Sequence, residues 1–318
     1  MLIGKILGSP YAHARIVNRD TSKAEALPGV KAVITGKDVP DVYYGLSPAR
    51  YDEQVLCRDK ARFVGDKVAA VAAIDEETAT KALDLIEVEY EVLPPVLDPL
   101  HAMDEGQPQI HDKYPRNIST EIHQNFGDVD KAFKEAYHIR TDVFRGQRCN
   151  HAAMEPHAAV AIWDRGKLTV YSSSQSPHYH QYGLARVFGL KMGDVRVLKT
   201  YVGGGFGGKL EPGPCEFVGS ALAMKTGKPV KVILDRYNVF THNRGRHACY
   251  MKLTTGVTKE GKILGVWADF IVDGGAYTGL GIATAYYTGS LLPLLYEFDN
   301  FRFDCFRVHT NLPSCGAQ

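Results

Sequence analysis

Tyr201 to Glu211 reads YVGGGFGGKLE, with five glycines around a single aromatic residue between Gly203 and Gly208. Such a backbone reaches positive φ and approaches a ligand with no Cβ in the way. Two familiar patterns match it on paper. Gly203, Gly205 and Gly208 satisfy the dinucleotide fingerprint G-x-G-x-x-G after a strand-like run Val195 to Val202, and Asp235 closes a later run VKVIL. That fingerprint needs a helix starting at its last glycine, whereas Pro212, Gly213 and Pro214 intervene before Cys215. Gly203 to Lys209 also fits the phosphate loop, but Leu210 follows the lysine and has no hydroxyl for magnesium. A glycine-rich loop with no ligand is the plain alternative, because exposed loops collect glycine.

Upstream, VRVLKTYV is the strand that delivers the loop, and SSSQSPHYHQYGLARVF places Gln175 between a strand end and a helix start. Ser176 is expected to cap that helix through its hydroxyl, with Pro177 at the first helical position. A strand-to-helix junction aims backbone N–H groups and a short side chain at one point, and an amide there both donates and accepts. Gln175 alone is otherwise a turn residue bonded to its own backbone. Downstream, Glu216 to Lys225 reads as a helix closed by Gly227, KVILD as a strand, and Asn243-Arg244-Gly245 as a turn into another strand. KILGVWADFIVDGGAY and FRFDCFRVHTN are further strands, and the charge-poor stretch TGLGIATAYYTGSLLPLLY between them reads as buried core in preference to the wall of an apolar channel.

Toward the N-terminus the pattern is α+β. In Lys67 to Val92, VAAVAAI suggests a buried strand, Asp75 caps a helix EETATKALDLI, and IEVEYEV alternates as a returning strand. A Pro-, polar- and His-rich region follows, in which His101, His111 and His123 have no local metal spacing and read as surface histidines. We expect a domain over 1–112, a connector over 113–127 and a second domain over 128–318. The latter opens with a short helix from Asp128 to Ala136 and strands near 138–147, 157–164 and 167–174, the last two joined by a hairpin turn at Arg165-Gly166.

The 318 residues, 45% hydrophobic and 10% aromatic, suffice for two domains with a sizeable core. A net charge of +1 gives no electrostatic case for nucleic acid or a membrane surface as partner. Six dispersed cysteines lack the close spacing of iron–sulfur or zinc sites and read as reduced thiols of a cytoplasmic protein. The start MLIGKILGSPYAHARI lacks a signal-peptide layout, no apolar run approaches a membrane span, and both ends read as cut.

YVGGGFGGK, preceded by SSSQSPH and followed by NRGRH and TNLPS, resembles the molybdenum subunit of the xanthine dehydrogenase and aldehyde oxidase family. SPYAHARI, LPGVKAVITGKDVP and RFVGDKVAAVAAI resemble its α/β hammerhead domain, and the remainder its first molybdopterin-binding domain, incomplete at the C-terminus. Within the family, GQRCNHAAMEPHAAVA and VDGGAYTGLGIATAYYTGSLLP look closest to the alpha subunit of 4-hydroxybenzoyl-CoA reductase, which removes a phenolic hydroxyl from an aromatic thioester. The resemblance therefore implies reductive dehydroxylation, with a molybdenum hydroxylase acting on an aldehyde or N-heteroaromatic ring as the alternative. From another class, a non-catalytic dinucleotide-binding or assembly module remains open. It further implies a molybdenum–pterin cofactor, as molybdopterin or its cytosine dinucleotide. Iron–sulfur clusters and FAD are expected on partner subunits, with an aromatic acyl-CoA or another small molecule as substrate. Gln175 and Arg246 are the implied catalytic residues, and Gln175, Gly204, Gly205, Phe206, Gly207 and Gly208 the implied cofactor contacts; no protein ligand to a metal is assigned. One departure is that purine-oxidising relatives carry a glutamate directly after Gly-Gly-Lys, where this chain has Leu210 and then Glu211. TNLPSCGAQ runs on in the family into an arginine–glycine segment of the site, so these residues are expected to be inactive alone.

Overall fold

A computed structural model describes residues 1–45 and 50–317. Its largest sheet has seven strands in the order Val195–Lys199, Lys167–Ser172, Ala158–Asp164, Val230–Ile233, Leu2–Gly8, Lys67–Ala73 and Val30–Thr35. Leu2–Gly8 lies at the seam. It runs parallel to Val230–Ile233, with Leu2 opposite Val230, and antiparallel to Lys67–Ala73. Strands from both expected domains therefore share one sheet.

Lys67–Ala73 is buried at all seven positions because it is apolar on both faces. Ala70 and Ala72 face a cluster that includes Phe217 and Leu222 of helix Pro214–Thr226, while Ala69, Val71 and Ala73 face Ala79 and Ala82 of helix Glu76–Asp84. Alternation along one strand thus fills two cores. Asp75 caps the second helix as expected, accepting from the Thr78 N–H at 2.8 Å. The returning strand does not come back to the same sheet. Glu87–Val92 pairs with Ala14–Asp20 in a three-stranded sheet, because its alternating glutamates need one wet face that the doubly covered sheet lacks.

A five-stranded sheet has the order Ile118–Phe126, Asn300–Val308, Ile263–Asp273, Cys249–Val257 and His138–Gly146. Ile118–Phe126 lies in the stretch expected to be a connector, and its ladder with Asn300–Val308 is set by a partner nearly two hundred positions away rather than by local pattern. The parallel pair Ile263–Asp273 and Asn300–Val308 is joined through helix Gly281–Leu295. That helix corrects the core reading. Gly281, Ala285 and Gly289 form its buried stripe, and a Cβ at Gly289 would lie 2.4 Å from Phe303, whereas Tyr287, Leu294 and Leu295 are exposed.

Arg165 and Gly166 both have positive φ in the expected hairpin turn. Helix Pro214–Thr226 starts at Gly213 and not at Gly208, which removes the dinucleotide geometry. A helix at Arg236–His242 was not expected from the sequence, although Asp235 supplies its cap by accepting from the Asn238 N–H at 2.7 Å.

Candidate functional site

The glycine loop leaves strand Val195–Lys199 at the edge of the seven-stranded sheet and folds back over Gln175. Gly204, Phe206 and Gly207 have φ of +101°, +51° and +89°. Two glycines are required by close approach rather than by φ. A Cβ on Gly205 would lie 2.6 Å from Gln175 Oε1, and one on Gly208 would lie 2.8 Å from His151 Nδ1.

Gln175 supports the loop from behind. Its Oε1 accepts from the N–H groups of Gly207 (3.0 Å) and Lys209 (3.2 Å), and its own N–H donates to the Lys209 carbonyl (2.9 Å). This orients the exposed amide so that Nε2 points away from those bonds as a spare donor. Ser176 is not the side-chain cap expected for helix Pro177–Phe188; its hydroxyl donates to the Leu210 carbonyl and pins the loop's exit. The loop carbonyl out-competes a cap because it arrives already positioned above the hydroxyl by the Gln175 bonds.

Within the loop, the Gly208 N–H donates to the Gly205 carbonyl and the Gly203 N–H to Glu155 Oε2. The N–H groups of Gly204, Gly205 and Phe206 donate to nothing among the described residues. Three consecutive donors without partners thus lie beside the Gln175 amide, a set of groups that can take an anion or an oxygen ligand. The Phe206 ring, 62% exposed, lies beside Gly204.

Sequence reasoning did not assign the residues behind the loop. Lys209 is buried and bonds Glu155 Oε2 at 2.6 Å, while His157 Nε2 donates to the Gly208 carbonyl at 2.9 Å. Burial would raise the Glu155 pKa, but the bonds from Lys209 and the Gly203 N–H outweigh it and hold the carboxyl below its ordinary value. Glu155 therefore has the wrong shift for a general base. A lysine directly after the glycines, facing an acid ahead of Pro156, was the available signal.

Glu211 is also engaged. Its Oε1 accepts from the Leu280 N–H at 3.0 Å, and its Oε2 lies 3.4 Å from Arg244 Nε. Arg244 reaches on to Glu53, whose other oxygen is 2.5 Å from buried Lys67. Burial alone would raise the Glu53 pKa, yet Lys67 and Arg244 hold it down to about 2. The network joins the loop, the N-terminal segment and the start of helix Gly281–Leu295.

Arg246 stands apart. It is exposed on a short ribbon of Gly245–Arg246 with Cys149–Asn150 and donates to the Gln147 carbonyl and Cys149 Sγ, both at 3.4 Å. It bonds neither Gln175 nor the loop, and it forms no ion pair among the described residues. Of the three histidines read as surface, His101 and His123 are exposed. His111 is buried, 5% exposed, because it folds against Tyr114, Tyr277 and His309. Its burial depends on contacts distant in sequence and left no local trace.

Residues 110–318 match the molybdopterin cofactor-binding domain, and residues 1–94 match the a/b hammerhead domain of aldehyde oxidase and xanthine dehydrogenase. The nicotinate dehydrogenase large molybdopterin subunit of Eubacterium barkeri is 37% identical, over 100% of this chain and 74% of its own length. A probable hypoxanthine oxidase of Escherichia coli (strain K12) is 35% identical, over 98% of this chain and 37% of its own. The aldehyde oxidoreductase of Desulfovibrio gigas superposes with a TM-score of 0.92 at 28% identity, covering all of this chain and 36% of that one. The free donors of Gly204 to Phe206 and the spare Gln175 amide fit a cofactor rich in oxygen acceptors. The α+β chain, hammerhead fold followed by cofactor-binding fold, belongs to the xanthine dehydrogenase and aldehyde oxidase family of molybdenum-dependent oxidoreductases.

Proposed function

We propose that this chain is the cofactor-holding part of a molybdenum hydroxylase that oxidises an N-heteroaromatic ring of the pyridine type. The carrying observation is the commitment of both nearby acids, Glu155 to Lys209 and the Gly203 N–H, and Glu211 to Arg244 and the Leu280 N–H. Leu210 stands where purine-oxidising relatives have a glutamate, and Glu211 is turned into the Arg244 and Leu280 contacts. A ring that needs no carboxylate from this loop fits better than a purine. The similarity to a nicotinate dehydrogenase subunit along three-quarters of its length supports the same class. These curated relatives, named as a dehydrogenase and a probable oxidase, favour this reading over dehydroxylation of 4-hydroxybenzoyl-CoA.

The bound cofactor supplies two-electron redox chemistry. Gly204, Gly205 and Phe206 would offer it N–H donors, Gln175 would hold the loop with Oε1 and donate from Nε2, and Gly207 and Gly208 would carry the bonds that fix the turn. Ring hydroxylation takes oxygen from water and releases two protons and two electrons, and we assign the electrons to iron–sulfur and FAD-binding partner subunits in a cytoplasmic complex. Arg246, free of ion pairs among the described residues, would face an anionic substituent of the substrate. The full natural subunit, assembled with its partners, should reduce a dye with nicotinate or a related pyridine and give the hydroxylated ring. Turnover confined to 4-hydroxybenzoyl-CoA, with loss of its hydroxyl, would reject the proposal.

A further inference from the structure

Away from the glycine loop, three buried side chains from distant segments converge on the turn Gly275 to Thr278. His309 Nδ1 lies 3.0 Å from the Gly275 carbonyl, His111 Nε2 lies 2.6 Å from the Ala276 carbonyl, and Asp52 Oδ2 accepts from Thr278 N–H (2.9 Å) and Oγ1 (2.6 Å). A carbonyl only accepts, so each imidazole must carry its proton on the nitrogen facing it. That leaves lone pairs on His309 Nε2 and His111 Nδ1. Asp52 Oδ1 and His309 Nε2 are buried with no hydrogen-bond partner among the described residues. One ligand atom from each of the three residues lies within 4.8 Å of the others.

We propose that Asp52, His111 and His309 form a closed binding site for one divalent transition-metal ion of the zinc type. Two imidazole nitrogens and one carboxylate oxygen suit zinc better than magnesium or calcium, which prefer oxygen. Metal-ligating histidines commonly donate their other N–H to a carbonyl, and here two successive carbonyls do this for both rings. Each ring commits one nitrogen to a carbonyl and keeps the other for an ion. A tetrahedral site sets ligand atoms about 3.3 Å apart, so the groups close by up to about 1.5 Å on binding. Arg307, Arg62 and Lys113 also bear on the histidines and temper the affinity. The ion would tie the segment around residue 52 to the end of strand Asn300–Val308, a structural role independent of the reaction proposed above.

The test is metal binding by the full chain. Chelator-treated protein is given zinc or cobalt alone, desalted, and assayed for bound metal by mass spectrometry and for cobalt by its visible spectrum. We expect one ion per chain with a tetrahedral cobalt spectrum. His309→Ala and Asp52→Asn should lower occupancy at least tenfold, and His123→Ala, at an exposed site, should leave it unchanged. Zinc should also raise the thermal unfolding midpoint of the parent, a readout that stays informative if the buried variants misfold. Occupancy in the parent no higher than in His309→Ala, loss of metal in His123→Ala, or no rise of the parent's unfolding midpoint with zinc would overturn the site.

Discussion

The glycine loop has two sides built on opposite terms. On its outer side Gly204, Gly205 and Phe206 present donors without partners, next to an exposed ring. Behind it Lys67, Glu53, Arg244 and Glu211 form a buried chain in which each charge meets its opposite. The outer side holds unpaired donors; the inner side fixes the position of the loop that carries them. Stability and cofactor retention should therefore separate by mutation.

Glu53→Gln tests the inner side and should have the largest effect. Removing Glu53's charge leaves buried Lys67 uncompensated and Arg244 with Glu211 alone, which costs about 3–5 kcal/mol. Denaturant unfolding measures this, and a loss under about 1 kcal/mol would mean the network is not what holds the loop. Gly207→Val comes next. A β-branched residue at φ +89° costs about 1–3 kcal/mol and pushes the turn off its Gln175 bond. Its molybdenum occupancy should fall further than that of Glu53→Gln relative to stability lost, and full occupancy would remove the loop from the cofactor site.

Gln175→Ala removes an acceptor shared by two N–H groups, and the bond from Gly207 is exposed, so stability should fall by about 1 kcal/mol. Molybdenum retention should fall, though less than in Gly207→Val; wild-type retention would limit Gln175 to a turn residue. Phe206→Ala should change stability by no more than about 0.5 kcal/mol, because the ring is exposed. A larger change would show that the outer side is packed in solution, and the contrast between the two sides would fail.

Local chemistry was readable in the sequence where a motif is complete within a few residues. The run of five glycines, Gln175 ahead of Ser-Pro, the Asp75 cap and the Arg165-Gly166 turn each carry their reason in adjacent residues. Hydrogen bonds across long separations were not readable. Nothing near Glu53 announces Arg244, nothing near His111 announces His309, and Ile118–Phe126 looks like linker until Asn300–Val308 lies beside it. Ser176 shows the intermediate case, in which a correct helix start concealed a hydroxyl used for a tertiary contact. The Gly281–Leu295 stretch misled because apolar composition reports preference for burial and not the presence of a neighbour.

The placement of Leu2–Gly8 beside Val230–Ile233 bears on how the chain is made. Once made, Leu2–Gly8 can pair with Lys67–Ala73 early, but its other edge waits for roughly 225 further residues, about 10–45 s at ordinary translation rates. During that interval the growing chain exposes an unpaired, largely apolar edge, the kind of surface that nucleates wrong pairing and that chaperones cover. Expression of the hammerhead segment by itself would make the interval permanent, so such a fragment should be recovered mostly in aggregates, whereas adding the residues through Ile233 in trans should recover part of it.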